Sequence, residues 1–282
     1  MGSTAKYDGL SRSPVRSDII CRAGEDKKVF QSAQPFPHIV YDDFLKADVA
    51  VKLCEEFPDL RYEKTNSLVF KDPLQKKLAS IGSELIDSRL ATSFAVRHLN
   101  SDIFLSFLND LTSIDEPLIS DPYLSGGGYH QTNRGGFLKL HTDFAYHPLL
   151  GLDRRVNLIL FLSNDWLPEY GGALELWDRD LKKIGARIEP KFNRAVIFNT
   201  NDFTYHGHPE PLASPDEFSR KSIALYYYSN GRPAAERDHS RSELNTNFVS
   251  RPGEVLKKDN LLMRVQRKLT RYLPSKESQA SI

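Results

Sequence analysis

The sequence predicts a β-rich α+β fold, in which a jelly-roll core carries helices on its outside. Two observations lead to this class. Apolar residues follow a helical spacing in much of the chain before Tyr123, whereas from Tyr123 onwards they occur in short β-branched or aromatic runs separated by Gly, Pro, Asn and Asp. Several short strands at such close spacing are typical of a jelly roll or a related small barrel. A chain of 282 residues can form one such core with its supporting helices.

The region before the strands, residues 35–122, is predicted to be a mainly helical support that is integral to the same domain. It opens with PFPHIVYDDFL, a short strand and turn, and three helical patterns follow. These patterns span Lys46 to Phe57, about Leu74 to Leu90, and Ile103 to Leu111. Residues 1–34 are polar at their start and show no sustained period, so we expect a flexible N-terminal segment.

The predicted β core covers residues 123–230, and residues 231–282 are expected to form a polar extension. The candidate strands are GFLKLHTDF, VNLILFLSND, ALELWD, ARIEP, AVIFNT and KSIALYYYS. Within the extension, Leu261 to Leu273 has the pattern of a basic amphipathic helix. We interpret it as a helix docked on the barrel with a solvated charged face, and a contact with an anionic partner or a second copy is the alternative.

The composition limits the classes of partner and of metal site. A formal net charge of +1 gives no sign of a nucleic-acid or membrane partner. No stretch approaches the roughly 20 apolar residues of a membrane span, and the first residues lack the apolar segment of a secretory signal, so we expect a cytoplasmic protein. Cys21 and Cys54 are far apart, which argues against a disulfide framework and against a thiolate metal site. Any metal would therefore need His and carboxylate ligands.

One pair of residues has the spacing of such a metal site. His141 and Asp143 are two positions apart in GFLKLHTDF, so an extended segment projects both side chains from the same face. Two histidines and one carboxylate form the facial triad that holds non-haem Fe(II) with open coordination positions. The third ligand would be a distant histidine after the strand AVIFNT, where His206 and His208 share a parity. His206 is favoured, because Gly207 follows it and lets the backbone approach closely.

A candidate anion-binding residue follows these histidines. Arg220 opens the strand RKSIALYYYS, and a guanidinium grips a carboxylate with two parallel hydrogen bonds. Neighbouring residues of a strand face opposite sides, so Lys221 is the competing assignment. If Arg220 points inward, Ser222, Ala224, Tyr226 and Tyr228 point inward with it.

The ordered set His141-x-Asp143, His206 and Arg220 resembles the 2-oxoglutarate and Fe(II)-dependent dioxygenase superfamily, particularly its prolyl 4-hydroxylase-like branch. From about residue 129 to 228, GGFLKLHTDF, NLILFLSNDW, EYGGALELWD, IEPKFNRAVIF, HGHPEP and RKSIALYYY are similar to successive strands and turns of the oxygen-sensing prolyl hydroxylases. The resemblance implies a double-stranded β-helix at residues 123–230. It also implies Fe(II), 2-oxoglutarate as cosubstrate, and ascorbate as a reductant.

The resemblance further implies roles for residues around the metal. Arg220 would bind the distal carboxylate of 2-oxoglutarate, and Asn157, Ile159 and Phe161 would face the pocket from their strand. Gln131 would reach the carboxylate beside the keto group, where the family has a tyrosine. Phe161 replaces another family tyrosine that helps to bind the distal carboxylate, so Arg220 and Asn157 would supply that polarity.

The implied activity is hydroxylation of an organic substrate with release of succinate and CO2. A small molecule, such as an amino acid or a natural-product intermediate, is the favoured substrate, because no added recognition domain is evident in the sequence. A protein prolyl residue is the alternative, and a non-catalytic cupin-like binding protein is the second alternative. Proximity to the motif and strand parity suggest further substrate contacts at Tyr146, Arg154, Arg155, Trp177, Asn199 and Tyr226, and His130 and His147 are additional candidates.

Overall fold

The computed structural model describes residues 13–147 and 149–256. In this part of the chain the strands join into one antiparallel sheet that curls into a half-barrel, with helices packed on its outside. The observed architecture is the double-stranded β-helix, and the predicted fold class is therefore confirmed. None of the helices in the described residues combines the length and the apolarity that crossing a membrane requires.

Fourteen strands are present in the described residues. Their order in the sheet is β1-β11-β8-β13-β5-β3-β6-β12-β9-β10, with β14 paired to β6, β2 to β3, β4 to β13 and β7 to β8. The bounds are β1 His38–Tyr41, β2 Ser67–Lys71, β3 Gln75–Ser80, β4 Ile119–Ser120, β5 Gly128–Thr132, β6 Phe137–Thr142, β7 Tyr146–His147, β8 Leu152–Phe161, β9 Leu174–Trp177, β10 Ile184–Ile188, β11 Ala195–Asn199, β12 Tyr205–His208, β13 Arg220–Ser229 and β14 Asn247–Phe248.

The order of the strands divides the curled sheet into two halves. Strands β5, β13, β8 and β11 form one half, and β6, β12, β9 and β10 form the other. Strand β3 pairs with both β5 and β6, so it joins the two halves. All six strands predicted in the core are present, because their β-branched and aromatic residues suit the pleated, half-buried surface of a sheet.

Six helices lie in the described residues, together with two short 3-10 turns. The helices are α1 Ser17–Cys21, α2 Ala23–Ser32, α3 Ala47–Glu56, α4 Glu84–Asp87, α5 Leu90–Leu99 and α6 Asp102–Thr112, and the turns are Pro168–Tyr170 and Ala234–Glu236. Helices α3 and α6 confirm the first and third helical predictions. In α6, Phe104, Phe107, Leu108 and Leu111 follow the i, i+3, i+4, i+7 pattern, and all four are buried.

The main core lies between the helices and the outer face of the first half of the sheet. Val156, Leu158 and Leu160 of β8 point into it, as do Ile223 and Leu225 of β13. The intervening residues of both strands therefore point into the barrel, because successive side chains of a strand alternate between its faces.

The helix predicted from about Leu74 to Leu90 is wrong. This segment forms strand β3, the short helix α4 and the start of α5. Gly82 lies between β3 and α4 with a φ of +61°, a left-handed conformation that ends any regular element. Leu78, Ala79 and Ser80 are buried in succession because β3 is an inner strand that joins the two halves of the sheet. This burial follows neither the helical period of about 3.6 residues nor the strand period of two.

The expectation of a flexible segment at residues 1–34 is wrong for the part that the structure describes. Helices α1 and α2 lie within it, and Val15, Ile20 and Phe30 are fully buried in the main core. These few apolar residues are separated by polar ones, so the sequence shows no sustained helical period there. The predicted basic helix from Leu261 to Leu273 lies outside the described residues.

Candidate active site

The three residues predicted to bind a metal lie together inside the barrel. Strands β6 and β12 are antiparallel neighbours, and their register places His206 directly opposite His141. Asp143 follows β6 one residue beyond its end. One potential ligand atom from each of the three side chains lies within 4.8 Å of the other two. Both histidines are buried, and the side chain of Asp143 is 13% exposed, so the cluster faces a pocket and not the bulk solvent.

Both histidines are oriented by backbone carbonyl groups. His141 Nδ1 lies 2.9 Å from the carbonyl oxygen of Lys139, and His206 Nδ1 lies 3.0 Å from that of Thr204. An Nδ1–H group that donates to a carbonyl leaves Nε2 as the ring nitrogen that can bind a metal. Burial, together with the nearby His206, lowers the pKa of His141, which favours the neutral imidazole that a metal requires.

Two side chains from β8 hold the carboxylate of Asp143. Arg154 Nη2 donates to Asp143 Oδ2 over 3.0 Å, and Asn157 Nδ2 donates to the same oxygen over 2.8 Å. Arg154 Nε also donates to Asn157 Oδ1, so the two donors form one network. Burial alone would raise the pKa of Asp143, but Arg154 and the two imidazoles hold the pKa of this carboxyl well below its usual range. The carboxylate is therefore ionised and fixed in orientation, as a metal ligand must be.

Arg220 points into the same pocket from the other half of the sheet. Its Nε donates to the carbonyl oxygen of Gly172 over 2.7 Å, and its guanidinium carbon lies 4.8 Å from the centre of the Phe161 ring. Burial lowers the pKa of Arg220 to about 10. Among the described residues no carboxylate forms an ion pair with it. A buried cation without an anionic partner is costly, so the geometry suits an anionic ligand.

Gly172 is required for this placement of Arg220. It has a φ of +78°, and a Cβ atom there would lie 2.7 Å from Leu212 Cδ2 and 3.0 Å from Arg220 Cδ. Any larger residue would therefore move the guanidinium.

The predicted parity of β13 is confirmed. Ser222, Ala224 and Tyr226 line the pocket with Arg220, whereas Ile223, Leu225 and Tyr227 pack in the main core. Lys221 lies on that opposite face, with its Nζ 5.3 Å from the centre of the Phe57 ring. Tyr228 has the predicted parity and is fully buried against Phe144 and Tyr226.

The structure also locates the other predicted pocket residues. The complete lining is Lys77, His130, Thr132, Leu138, His141, Asp143, Asn157, Ile159, Leu174, His206, Gly207, His208, Arg220, Ser222, Ala224 and Tyr226. Asn157 and Ile159 are there as predicted, and Phe161 lies beneath Arg220. His208 lines the pocket but is not part of the three-residue cluster.

The prediction for Gln131 is wrong. Its side chain points away from the pocket, where its Oε1 accepts from the backbone N–H of Leu60 over 2.7 Å and its Nε2 donates to Asp59 and Ser219. The register of β5 with β13 explains this result. Arg220 is opposite Thr132, so Thr132 and His130 share the inward face and Gln131 faces the helices.

Most of the suggested substrate contacts do not line the pocket. Tyr226 does, and its hydroxyl donates to the carbonyl oxygen of Gly126 over 2.9 Å. Arg154 lies behind Asp143 and stacks on Tyr226, with its guanidinium carbon 3.3 Å from the ring centre. Tyr146 lies on the short strand β7, away from the pocket.

The remaining three candidates lie outside the pocket, and contacts elsewhere hold two of them. Arg155 pairs with Glu116 on the outer face of β8. Trp177 donates from its indole nitrogen to Glu175, and Asn199 ends β11 outside the pocket lining. Of the two additional histidines, His130 lines the pocket, whereas His147 is fully buried 3.4 Å from Asp121.

Lys77 is the main pocket residue that the sequence did not indicate. It lies on β3, inside the segment that the sequence predicted to be helical. No local feature separates it from Lys76, which is exposed on the same strand. Only the pairing of β3 with β5 and β6 places one lysine inside the pocket and the other outside.

The side chains that are present fit an Fe(II) site that uses 2-oxoglutarate. Two imidazoles and one ionised carboxylate form the donor set of the facial triad, and the pocket in front of them leaves room for further ligands. In the same pocket, Arg220 supplies a cation for the second carboxylate of a dicarboxylic cosubstrate. The described chain therefore has the residues that would hold Fe(II) and 2-oxoglutarate.

Comparisons with known proteins agree with this arrangement. Residues 127–228 match the family model of the 2OG-Fe(II) oxygenase superfamily. Prolyl 3-hydroxylase OGFOD1 of Mus musculus is 28% identical over 233 residues, which cover 80% of this chain. The match covers 39% of the mouse protein, so the chain spans about two fifths of the length of that curated relative.

A solved structure shares the fold. It is a prolyl hydroxylase from Trichoplax adhaerens in complex with a peptide fragment of the hypoxia inducible factor oxygen degradation domain. The match has a TM-score of 0.53 at 15% identity and covers 75% of this chain and 91% of that chain. The match over residues 127–228, the mouse relative and the common fold support the resemblance of this chain to the 2-oxoglutarate and Fe(II)-dependent dioxygenase superfamily and to its prolyl hydroxylases.

Proposed function

We propose that this protein is an Fe(II)- and 2-oxoglutarate-dependent dioxygenase that hydroxylates a prolyl residue of a protein substrate, with release of succinate and CO2. The observation that carries the proposal is the convergence of His141, Asp143 and His206 on a pocket that also holds the unpaired Arg220. A binding protein without turnover would have no chemical need for this combination of a facial triad and a buried cation.

The mouse relative supports the choice of a prolyl residue. It is a prolyl 3-hydroxylase, and the similarity extends over 80% of this chain. The earlier preference for a small-molecule substrate finds no support in the comparisons, so the protein prolyl residue becomes the main hypothesis. The carbon of the proline ring that is attacked is a further question, which the product analysis below addresses.

The metal cluster, Arg220 and the residues that hold Asp143 each have a defined role in this proposal. His141, Asp143 and His206 would hold the metal, and Arg220 would bind the distal carboxylate of 2-oxoglutarate. The bound metal and cosubstrate supply the activation of O2 that oxidises a C–H bond of the substrate. Arg154 and Asn157 restrain Asp143 Oδ2, and this restraint would preserve the ligand geometry when substrates enter and leave.

The apolar part of the lining completes the site. Leu138, Ile159, Leu174 and Ala224 line the pocket together with the triad and Arg220. Apolar walls exclude water, so they strengthen the electrostatic contacts of the cosubstrate and limit side reactions.

Two measurements with the purified chain test the proposal. The first is formation of succinate from 2-oxoglutarate with added Fe(II), ascorbate and O2, with a sample treated with a metal chelator as the control. The second is mass spectrometry of a library of proline-containing peptides, in which addition of one oxygen atom to a prolyl residue is expected, followed by NMR to identify the carbon.

The outcomes separate the competing functions. Absence of Fe(II)-dependent succinate under all substrate conditions would favour the non-catalytic binding protein. Succinate formation with oxidation of a free amino acid, and of no peptide, would restore the small-molecule substrate.

A further inference from the structure

The pocket contains a second cation that the proposed reaction does not use. Lys77 lies on β3 and lines the same pocket as the metal triad and Arg220. It is half-buried, and removal of its ammonium group from water lowers the pKa of Lys77 to about 8. In the described part of the chain no carboxylate forms an ion pair with Lys77. Its position is therefore unfavourable unless a ligand supplies a negative charge.

A hydrogen bond to His130 sets the orientation of this ammonium group. Lys77 Nζ lies 3.4 Å from His130 Nδ1, and His130 Nε2 lies 3.2 Å from the carbonyl oxygen of Gly126. The consistent assignment is a neutral His130 that donates from Nε2 to Gly126 and accepts at Nδ1 from Lys77. A lysine ammonium has three N–H donors, so two remain for a ligand.

Lys77 is placed beside Arg220 by the pairing of three strands. Arg220 of β13 is opposite Thr132 of β5. Gln131 of β5 is opposite Leu78 of β3, and because these two strands are antiparallel, the next residue, Thr132, is opposite Lys77. All three residues in this row line the pocket. Neighbouring strands lie about 4.8 Å apart, which places the backbones of Lys77 and Arg220 roughly 10 Å from each other.

The charges of the pocket do not balance without a further anion. Asp143 is the only carboxylate among the described lining residues, and Arg154 already donates to it. Lys77 and Arg220 are then two cations without an anionic partner among the described residues. In the proposed function, 2-oxoglutarate offers one carboxylate to the metal and one to Arg220, so Lys77 remains available.

We propose that Lys77, oriented by His130, forms a second carboxylate-binding subsite of this pocket, separate from Arg220. The ligand group is a carboxylate, which can come from an acidic side chain beside the target proline or from the distal carboxylate of 2-oxoglutarate, with one oxygen on Arg220 and the other on Lys77. The assignment to these two sources rests on the proposed function, whereas the subsite follows from the unpaired Lys77.

The test compares Lys77→Met with the matched control Lys76→Met. Lys76 precedes Lys77 on β3 but is exposed, so its loss removes the same charge from outside the pocket. Three probes are titrated by calorimetry. These are glutarate with metal-free protein, 2-oxoglutarate with the Mn(II)-loaded protein, and paired proline-containing peptides with Asp or Asn beside the proline, also with the Mn(II)-loaded protein and 2-oxoglutarate.

A subsite at Lys77 predicts a loss of affinity of about tenfold or more for at least one carboxylate probe in Lys77→Met, because the variant loses a hydrogen bond to a charged group, and tenfold corresponds to about 1.4 kcal/mol. Lys76→Met should bind every probe as the wild type does. A specific loss of the preference for Asp over Asn identifies the substrate as the source, and a specific loss of 2-oxoglutarate affinity identifies the cosubstrate.

Equal affinities of Lys77→Met and the wild type for all three probes would overturn the subsite, as would equal losses in Lys76→Met. Lys77→Gln provides a second neutral variant if Lys77→Met does not fold. The glutarate titration needs neither metal nor turnover. A subsite confirmed by glutarate together with absent Fe(II)-dependent succinate formation would therefore refute the proposed function alone.

Discussion

The role of each side chain in this site depends on the face of the strand from which it projects and on the hydrogen bonds that orient it. His206 and His208 share a face of β12, yet only His206 lies opposite His141 and within 3.4 Å of Asp143. The carbonyl of Thr204 holds its Nδ1, which directs Nε2 toward the cluster. His208 has a buried Nδ1 atom without a hydrogen-bond partner and remains outside the triad.

The difference between these histidines leads to the first prediction. His206→Ala should abolish Fe(II) binding and Fe(II)-dependent succinate formation, because an open site that loses one of three protein ligands cannot retain the metal. Anaerobic titration with Co(II), followed by its visible absorption, measures binding directly. His208→Ala is the control and should still bind the metal. If His208→Ala loses metal binding and His206→Ala retains it, His208 and not His206 is the third metal ligand.

The second prediction concerns Arg220 and its neighbour on the opposite face. Arg220→Ala should weaken 2-oxoglutarate binding by about a hundredfold, because loss of one partner from a buried charged pair costs on the order of 3 kcal/mol. Metal affinity should change much less. Lys221→Ala serves as the control, since this residue contacts Phe57 outside the pocket. The measurement is the dissociation constant of 2-oxoglutarate for each variant. A large increase in Lys221→Ala alone would contradict the assignment of Arg220 as the residue that binds the distal carboxylate.

The third prediction is a pH dependence of stability at Lys77. Its pKa is lowered to about 8 from 10.5, so the ligand-free folded state disfavours the ammonium form. Below pH 8 both the folded and the unfolded states carry this proton, and the folded state bears the full cost of desolvation. Between pH 8 and 10.5 the unfolded state binds more protons, so this group makes the protein more stable as the pH rises.

Lys77→Met should accordingly stabilise the ligand-free protein by about 2 kcal/mol below pH 8, an amount reduced for the partial exposure of the side chain. The gain should disappear toward pH 10.5. Urea unfolding of the variant and the wild type at several pH values measures it. A gain that does not vary with pH would show that packing, and not charge, is responsible.

Among the elements, the helices and strands with a clear period were predictable and the irregular ones were not. Helices α3 and α6 have one apolar face, and the core strands are short β-branched or aromatic runs bounded by turn residues, so local sequence was enough to identify them. The sequence predicts a helix from Leu74 to Leu90 because the apolar residues of β3, α4 and the start of α5, taken together, have a spacing close to the helical period. Its strand character depends on hydrogen bonds to β5 and β6, which are remote in the sequence.

The fourth prediction concerns helix α2 and tests whether the N-terminal segment is packed against the main core. Phe30 is fully buried between α2 and the rest of the main core, whereas Val29 on the same helix is 58% exposed. Phe30→Ala should lower the free energy of unfolding by about 3 to 5 kcal/mol, because it removes buried surface and leaves a cavity. Val29→Ala should change it by about 0.5 kcal/mol or less. Equal small effects in denaturant unfolding would mean that α2 does not dock as described.

For the molecule as a whole, the site exists only because the sheet curls. The triad is attached to β6 and β12 in one half, and Arg220 belongs to β13 in the other. Asp143 is additionally held by Arg154 and Asn157 of β8, which lies in the same half as Arg220. Metal binding should therefore favour the folded barrel over the unfolded chain, in which these residues are far apart.

The fifth prediction follows from this linkage. Mn(II) at a hundredfold excess over its dissociation constant should stabilise the protein by about 2.7 kcal/mol, which corresponds to a rise in Tm of roughly 5 to 10 °C. A chelator should reverse the rise, and His206→Ala should show none. Differential scanning calorimetry provides the measurement. An equal rise in His206→Ala would place the bound metal elsewhere.

The sequence by itself determined those features of the site that depend on alternation along one strand. His141 and Asp143 share a face because they are two residues apart, and Arg220 shares a face with Ser222 and Tyr226 for the same reason. Side-chain alternation is a local property of an extended backbone, so no tertiary information was needed.

Only the tertiary structure decided which residues meet across strands. His130 and not Gln131 faces the pocket because β5 is paired in register with β13, and Lys77 enters the pocket because β3 joins the two halves of the sheet. The hydrogen bond from Arg154 to Asp143 likewise connects two different strand regions. Register between strands depends on hydrogen bonds and packing between remote segments, and the periodicity within each segment does not contain that information.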